Sequence, residues 1–210
     1  MLNRITLPVT PFAQNCSLVW CSATNKAALI DPGGETERLL AAIAERGLEL
    51  ESILLTHGHL DHVGATGELV ANTGVPIIGP GQDDAFWIEG LAQQVQMFGF
   101  DPVTGFTPDR WLDQGDTVSV GNEQLEVYHC PGHTPGHVVL VHETQRLAFL
   151  GDVLFNGGVG RSDFPRGDHA TLINAILTTL LPLGDDITFV PGHGPESTFG
   201  HERQHNPYLR

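Results

Sequence analysis

The chain has 210 residues, 40% of them hydrophobic, which is enough for one domain with a core of its own. No apolar run approaches the roughly 20 residues that a membrane helix needs. The net charge is −15, from 25 acidic and 10 basic residues, and Lys26 is the sole lysine. Such a surface repels phosphate backbones, so nucleic acid is excluded as an expected partner. The segment MLNRITLPVTPF holds no apolar stretch of signal-peptide length, which gives a cytoplasmic expectation. Cys16, Cys21 and Cys130 are an odd count and no disulfide framework; reduced buried thiols are expected.

In chain order, RITLPV, CSLVWCS and AALI read as short strands, the third ended by Pro32-Gly33-Gly34. ETERLLAAIAERG places Leu39, Leu40, Ile43 and Ala44 on one helical face, with Gly47 as its stop. SILLT is the next strand. A second helix is expected from about Asp61 or Val63 to Asn72, with Gly74 behind it. VPIIG follows as a strand, and DDAFWIEGLAQQVQMFG reads as largely helical. The second half gives strands at TVSVG, EQLEVYHCPG, HVVLVHE and RLAFLGD, an amphipathic helix at HATLINAILTTLLPLG, and a last clear strand at ITFVPGHG. Strands mixed with helices in both halves predict a layered α/β protein, and the lack of a repeat or linker predicts one domain over 1–210.

Five apolar runs end on a residue that can ligate a metal or support a ligand: AALI at Asp31, SILLT at His57, LEVYHCPG at His133, RLAFLG at Asp152, and ITFVPG at His193. Active sites of α/β folds gather where loops leave the carboxyl ends of strands, so these residues are expected to converge. His57 and His59 are two apart and point the same way in extended backbone, while Gly58 lets the chain bend close to an ion. Asp61 and His62 follow at a helix start, which favours a carboxylate. Imidazole and carboxylate suit zinc, iron or manganese. One ion cannot easily use all seven groups, whereas two can. His57, His59 and His133 are therefore assigned to a first metal; Asp61, His62 and His193 to a second; Asp152 bridges both. Asp31 is read as accepting a hydrogen bond from a ligand histidine and fixing its orientation. Two ions at roughly 3.5–4 Å can hold a hydroxide and polarise a carbonyl. His129, His137 and His169 fall outside the pattern and are read as structural or solvent-exposed.

THGHLDH, followed by His133, Asp152 and His193, resembles the H-x-H-x-D-H signature and ligand order of the metallo-β-lactamase superfamily across the whole chain. The resemblance implies a four-layer αβ/βα sandwich with a dinuclear site at one edge between the halves. The lactamases proper carry a cysteine at the place of Asp152, and the RNA-processing branch carries extra arms; both point away from those activities. HCPGHTPGH, GDVLF, GVGRSDF and PGHGPESTFGHERQHNP look like the glyoxalase II group, which hydrolyses S-D-lactoylglutathione to glutathione and D-lactate. Its longer members add a helical domain that grips glutathione; this chain ends soon after Asn206-Pro207 and resembles the short bacterial forms. GRSDF is also similar to the persulfide dioxygenases, which implies the rival: one iron on His57, His133 and Asp152. A hydrolase of another ester or a lactone is the broader alternative.

The mechanism expected from this resemblance is hydroxide attack on a thioester carbonyl, with a thiolate of pKa about 8–9 leaving without a strong general acid. Zinc is the expected metal. Asp61 has a secondary role in positioning or accepting a proton. Arg161 and Arg166 flank the loop after Asp152 and could grip glutathione carboxylates through charge-assisted contacts, or serve as structural ion-pair partners.

Overall fold

The computed structural model describes residues 1–210. Strands β1 (Leu2–Val9), β2 (Gln14–Cys21), β3 (Lys26–Ile30), β4 (Glu49–Leu54) and β5 (Ile77–Ile78) form one sheet in that order. The pairs β3–β4 and β4–β5 are parallel, and the first three strands run antiparallel. The second sheet, of six strands, contains β6 (Thr117–Val120), β7 (Glu123–His129), β8 (Val138–His142), β9 (Leu147–Gly151), β12 (Thr188–Pro191) and β13 (Ser197–Thr198). Within it β9 and β12 are parallel neighbours. A two-stranded ribbon, β10 (Leu154–Phe155) with β11 (Gly158–Val159), stands apart.

Strand sequences that alternate only weakly are explained by burial on both faces. Ala28, Ile30, Leu54, Val138, Leu140 and Phe149 pack between the sheets in a cluster to which no helix contributes. The opposite sides of the same strands, Ala27, Leu29 and Ile53, meet helices α1 (Thr36–Glu45), α3 (Thr66–Thr73), α4 (Ala85–Glu89) and α5 (Leu91–Phe98). On the far side Val139, Val141, Ala148, Leu150 and Phe189 meet α6 (His169–Ala175) and α7 (Phe199–His205). The result is the expected order helix, sheet, sheet, helix.

The expected second helix is broken into α2 (Leu60–Val63) and α3. The break lies where the chain crosses the Pro32–Gly33 turn: Ala65 N–H donates to the Pro32 carbonyl at 3.0 Å, and a Cβ on Gly64 would meet the Gly33 oxygen at 2.6 Å. Gly90 likewise divides the 83–99 helix into α4 and α5. The helix at 169–184 continues past α6 only as a wide turn, Ile176–Leu180, and a tight one, Leu181–Leu183. ITFVPGHG carries β12, the last strand of more than two residues; the two-residue β13 and the helix α7 follow it. Phe199 opens α7 fully buried, its ring centroid 5.7 Å from that of Phe189. Truncating such a ring to alanine costs about 3–5 kcal/mol.

The two sheets are tied together at one end. Val138 N–H donates to the Thr56 carbonyl at 2.9 Å, and Asn15 N–H to the Gly192 carbonyl at 2.7 Å. That end carries the carboxyl termini of β3, β4, β9 and β12.

Candidate active site

Each strand terminus delivers one side chain to the same place. Asp31 leaves β3 in a left-handed conformation, φ 53°, and turns its carboxylate back under β4. There it accepts hydrogen bonds from Thr56 N–H at 2.8 Å, Thr56 Oγ1 at 2.6 Å, and His62 Nδ1 at 2.9 Å. Three buried donors on one carboxylate fix the rotamer of His62 and leave its Nε2 facing inward. His133 and His193 are oriented in the same way by backbone. Nδ1 of His133 donates to the Arg161 carbonyl at 2.6 Å, and Nδ1 of His193 to the Phe12 carbonyl at 3.1 Å.

The inward atoms fall into two groups. His57, His59 and His133 bring one ligand atom each within 4.8 Å of one another, and so do Asp61, His62 and His193. The Asp152 carboxylate stands between them: Oδ1 lies 3.3 Å from His62 Nε2, and Oδ2 lies 3.6 Å from His133 Nε2 and 3.7 Å from His193 Nε2. A third triplet, Asp31, His57 and His62, also meets the distance condition. Asp31 already accepts three hydrogen bonds, one of them from His62 Nδ1, and so is placed to orient that ring.

These residues fit divalent ions. Nε2 of His57 and His62 and Oδ1 of Asp152 are buried without a hydrogen-bond partner, while His59 brings its Nδ1 to 2.9 Å from His133 Nε2. Three orphaned polar atoms in one buried cluster are costly unless something fills the space between them. Ligand atoms on one tetrahedral zinc stand about 3.3 Å apart for bonds of 2.0–2.1 Å, close to the His62–Asp152 separation. Backbone also makes room: a Cβ on Gly192 would lie 2.1 Å from Asp152 Oδ1 and 2.6 Å from His62 Cε1.

The electrostatics differ between the groups. Burial pushes His57, His59 and His133 below the ordinary imidazole value, leaving them neutral and able to ligate. Burial opposes charge on His62 too, but Asp152, Asp61 and the Asp31 hydrogen bond outweigh it and raise His62. For His193, burial is likewise outweighed, by the Asp61 hydrogen bond and Asp152. Burial works against the Asp152 anion, yet the facing His62, His133 and His193 hold it far below the carboxylate range.

Above the cluster opens a cleft of about 660 Å³ walled by Phe12, Trp87, Phe98, Phe155 and Phe164, with His59, Asp61, His133, Asp152 and His193 at its base. A more open groove of about 1160 Å³ runs beside Glu35, Arg38, Glu68 and Asp101, but none of the clustered ligand-type side chains lines it. Arg161 lines the cleft and is held by Asp163 through two 2.7 Å hydrogen bonds, its guanidinium 4.2 Å from the Phe164 ring centre. Arg166 does not line the cleft; its guanidinium lies 4.8 Å over Phe86, which does, with one long 3.5 Å contact to the Asp83 carbonyl.

Sequence reasoning missed two supports, Asp84 and Gln94, and left a third, His137, as structural or exposed. Asp84 is buried and accepts from Gly58 N–H, Thr134 Oγ1 and Gly136 N–H. Gln94 accepts from Leu60 N–H at 2.9 Å. His137, read as structural or exposed, is buried, stacks on His57 at 4.6 Å, and accepts the Asp152 N–H at 3.1 Å. The adjacency of His137 to the HCPGH run was the available signal; nothing local marked Asp84 or Gln94. Of the other two histidines, His129 caps the Pro135 carbonyl at 2.8 Å and His169 is exposed on α6.

The chain matches the metallo-beta-lactamase superfamily over residues 9–193. It is 51% identical over 209 residues to the hydroxyacylglutathione hydrolase GloC of Haemophilus influenzae, covering 99% of this chain and 98% of that protein. Among solved structures, TTHA1623 in a di-iron-bound form is 37% identical with a TM-score of 0.89, covering 98% of this chain and 100% of that one. The BLEG-1 B3 metallo-beta-lactamase is 33% identical with a TM-score of 0.89, covering 100% and 99%. Together with the four-layer architecture and the ligand cluster at the strand ends, these matches show that the chain belongs to the metallo-beta-lactamase superfamily.

Proposed function

We propose that this protein is a metal-dependent thioester hydrolase of glyoxalase II type, cleaving S-D-lactoylglutathione to glutathione and D-lactate. The observation that carries this reading is the Asp152 carboxylate, set between two groups of histidines and facing both. His57, His59 and His133 would hold one divalent ion, Asp61, His62 and His193 the other, and Asp152 both. Two such ions supply a hydroxide nucleophile at neutral pH and polarise the acyl carbonyl. Zinc suits the nitrogen-rich set; iron is the alternative that the di-iron form of TTHA1623 supports.

The protein's own part is to hold these groups in register. Asp31, the Arg161 carbonyl and the Phe12 carbonyl keep three imidazoles in the tautomer whose Nε2 is free to ligate. The aromatic walls exclude bulk water around the acyl carbon, which strengthens every charge interaction at the base. The acyl carbon–sulfur bond breaks, and the sulfur leaves as a thiolate whose low basicity removes the need for a buried acid. Asp61 Oδ2, 3.1 Å from His193 Nε2, is placed at the cleft floor to position the nucleophile or take its proton.

Arg166, stacked over the cleft residue Phe86, is freer than Arg161 to meet a glutathione carboxylate, since Asp163 already engages Arg161. The full-length relationship to a protein named hydroxyacylglutathione hydrolase supports the substrate class. A small glutathione-linked substrate and three unpaired cysteines fit a single domain acting in the reducing cytoplasm. The test is stepwise reconstitution. Metal-stripped protein should regain S-D-lactoylglutathione hydrolysis as the second equivalent of ion is added; activity complete after one equivalent, or none after two, contradicts the reading.

A further inference from the structure

The segment 82–98, which carries none of the clustered histidines, grips the two loops that bear His57, His59 and His133. Asp84 is fully buried at the tight turn that leads into α4. Its Oδ2 accepts from Gly58 N–H at 2.9 Å and from Thr134 Oγ1 at 2.8 Å, and its Oδ1 from Gly136 N–H at 2.6 Å. Gly58 sits between His57 and His59, and Thr134 follows His133. One carboxylate therefore spans the two stretches that bear the three-histidine group. Gln94, 4% exposed on α5, completes the grip: its Oε1 accepts from Leu60 N–H at 2.9 Å, while its Nε2 donates to the Trp87 carbonyl at 2.8 Å and, at 3.4 Å, to the Gly58 carbonyl. The fit leaves no slack, because a Cβ on Gly58 would lie 2.7 Å from Trp87 Cβ. No comparable contact runs from Asp84 to Asp61, His62 or His193, which are positioned by Asp31 and Phe12 instead.

The geometry points to Asp84 as a positioning residue that sets the separation of His57 and His59 from His133, and so governs ion affinity at that group alone. This rests on the reading of the histidines as metal ligands. A carboxylate with three donors on two loops is rigid only while all three bonds hold, and loss of such an outer support weakens ion binding by about 10–100-fold. Asparagine in its place keeps one acceptor oxygen but turns an N–H₂ toward a donor, so it should recover part of the loss.

The experiment is a titration of metal-depleted protein with Zn(II) against a chromophoric chelator, run beside thermal unfolding of the metal-free forms. Asp84→Ala should weaken one of two equivalents by about 10–100-fold and leave the other unchanged, with Asp84→Asn between it and the parent. In a His193→Ala background, where the three-histidine group holds the remaining strong equivalent, Asp84→Ala should weaken that equivalent too. Should Asp84→Ala fail to fold, Thr134→Val removes one donor almost isosterically and should shift the same equivalent several-fold. Unchanged affinities would overturn the inference, as would both equivalents weakening together in proportion to lost thermal stability. A parent protein that binds no ion overturns it together with the ligand reading. Two equivalents in a protein inactive on thioesters leave it standing while the proposed reaction falls.

Discussion

His62 Nδ1 donates to Asp31 Oδ2 across 2.9 Å, and both side chains are almost fully buried. This bond joins the end of β3 to α2, and with the two Thr56 donors it fixes the Asp31 carboxylate between β4 and His62. Removing it frees the His62 ring to rotate and strands Thr56 N–H. Asp31→Ala should therefore lower stability by about 1–3 kcal/mol per unpaired donor and weaken ion binding at the Asp61/His62/His193 group by about 10–100-fold. Chelator titration and denaturant unfolding on one preparation check both.

Protons and ions should compete unequally for the two groups. His62 and His193 are raised by the carboxylates that face them, so in metal-free protein they hold protons at pH where free imidazole would not. The stabilising His–carboxylate pairing is present below the unfolded imidazole value and is lost as pH rises through the raised one. His57, His59 and His133 are shifted the other way and stay neutral. Ion binding at the Asp61/His62/His193 group should release protons and weaken as pH falls toward 6. Calorimetry in buffers of different ionisation enthalpy should find the proton release on one equivalent.

Gly192→Ala should disable the site without touching a ligand. Its Cβ would stand 2.1 Å from Asp152 Oδ1 and 2.6 Å from His62 Cε1, so the shared carboxylate must move. The expected outcome is a protein that folds but retains fewer than two ions per chain by elemental analysis, with turnover lowered by about 100-fold or more, as 1 Å misplacements do.

Arg166→Ala should raise KM for a glutathione thioester several-fold with kcat little changed, the pattern of lost uniform binding. Arg161→Ala should do less, because Asp163 already holds that guanidinium. Equal effects from both would assign the rim contacts differently.

Strand ends were legible because the ligand-type residues there sit where the apolar pattern stops. Asp31, His57, His133, Asp152 and His193 all meet at one end as their positions in the sequence implied. The break at Gly64 was not legible, since it depends on the Pro32–Gly33 turn about 30 residues earlier in the chain. Nothing in the local DDAFW pattern separates Asp84 from Asp83; only the long-range approach of Gly58 and Gly136 makes Asp84 a buried acceptor. The ribbon β10–β11 and helix α7 were missed for a related reason. Glu202, fully buried, accepts from Gly157 N–H at 2.9 Å and ties the two together across 45 residues.

Asp61 separates a two-ion hydrolase from a one-ion enzyme, because the group of His57, His133 and Asp152 does not need it. Asp61→Ala should reduce bound ions from two per chain to one and cut thioester turnover by about 100-fold or more, the scale of losing a catalytic group. An unchanged rate would place the chemistry on a single ion.

The most direct measurement is made on one preparation of the unaltered protein: ions per chain, S-D-lactoylglutathione hydrolysis, and oxygen uptake with glutathione persulfide. Two ions per chain, D-lactate and free thiol formed in equal amounts, and no oxygen consumed are expected. One iron per chain with oxygen uptake and no thioester cleavage would contradict the proposed reaction.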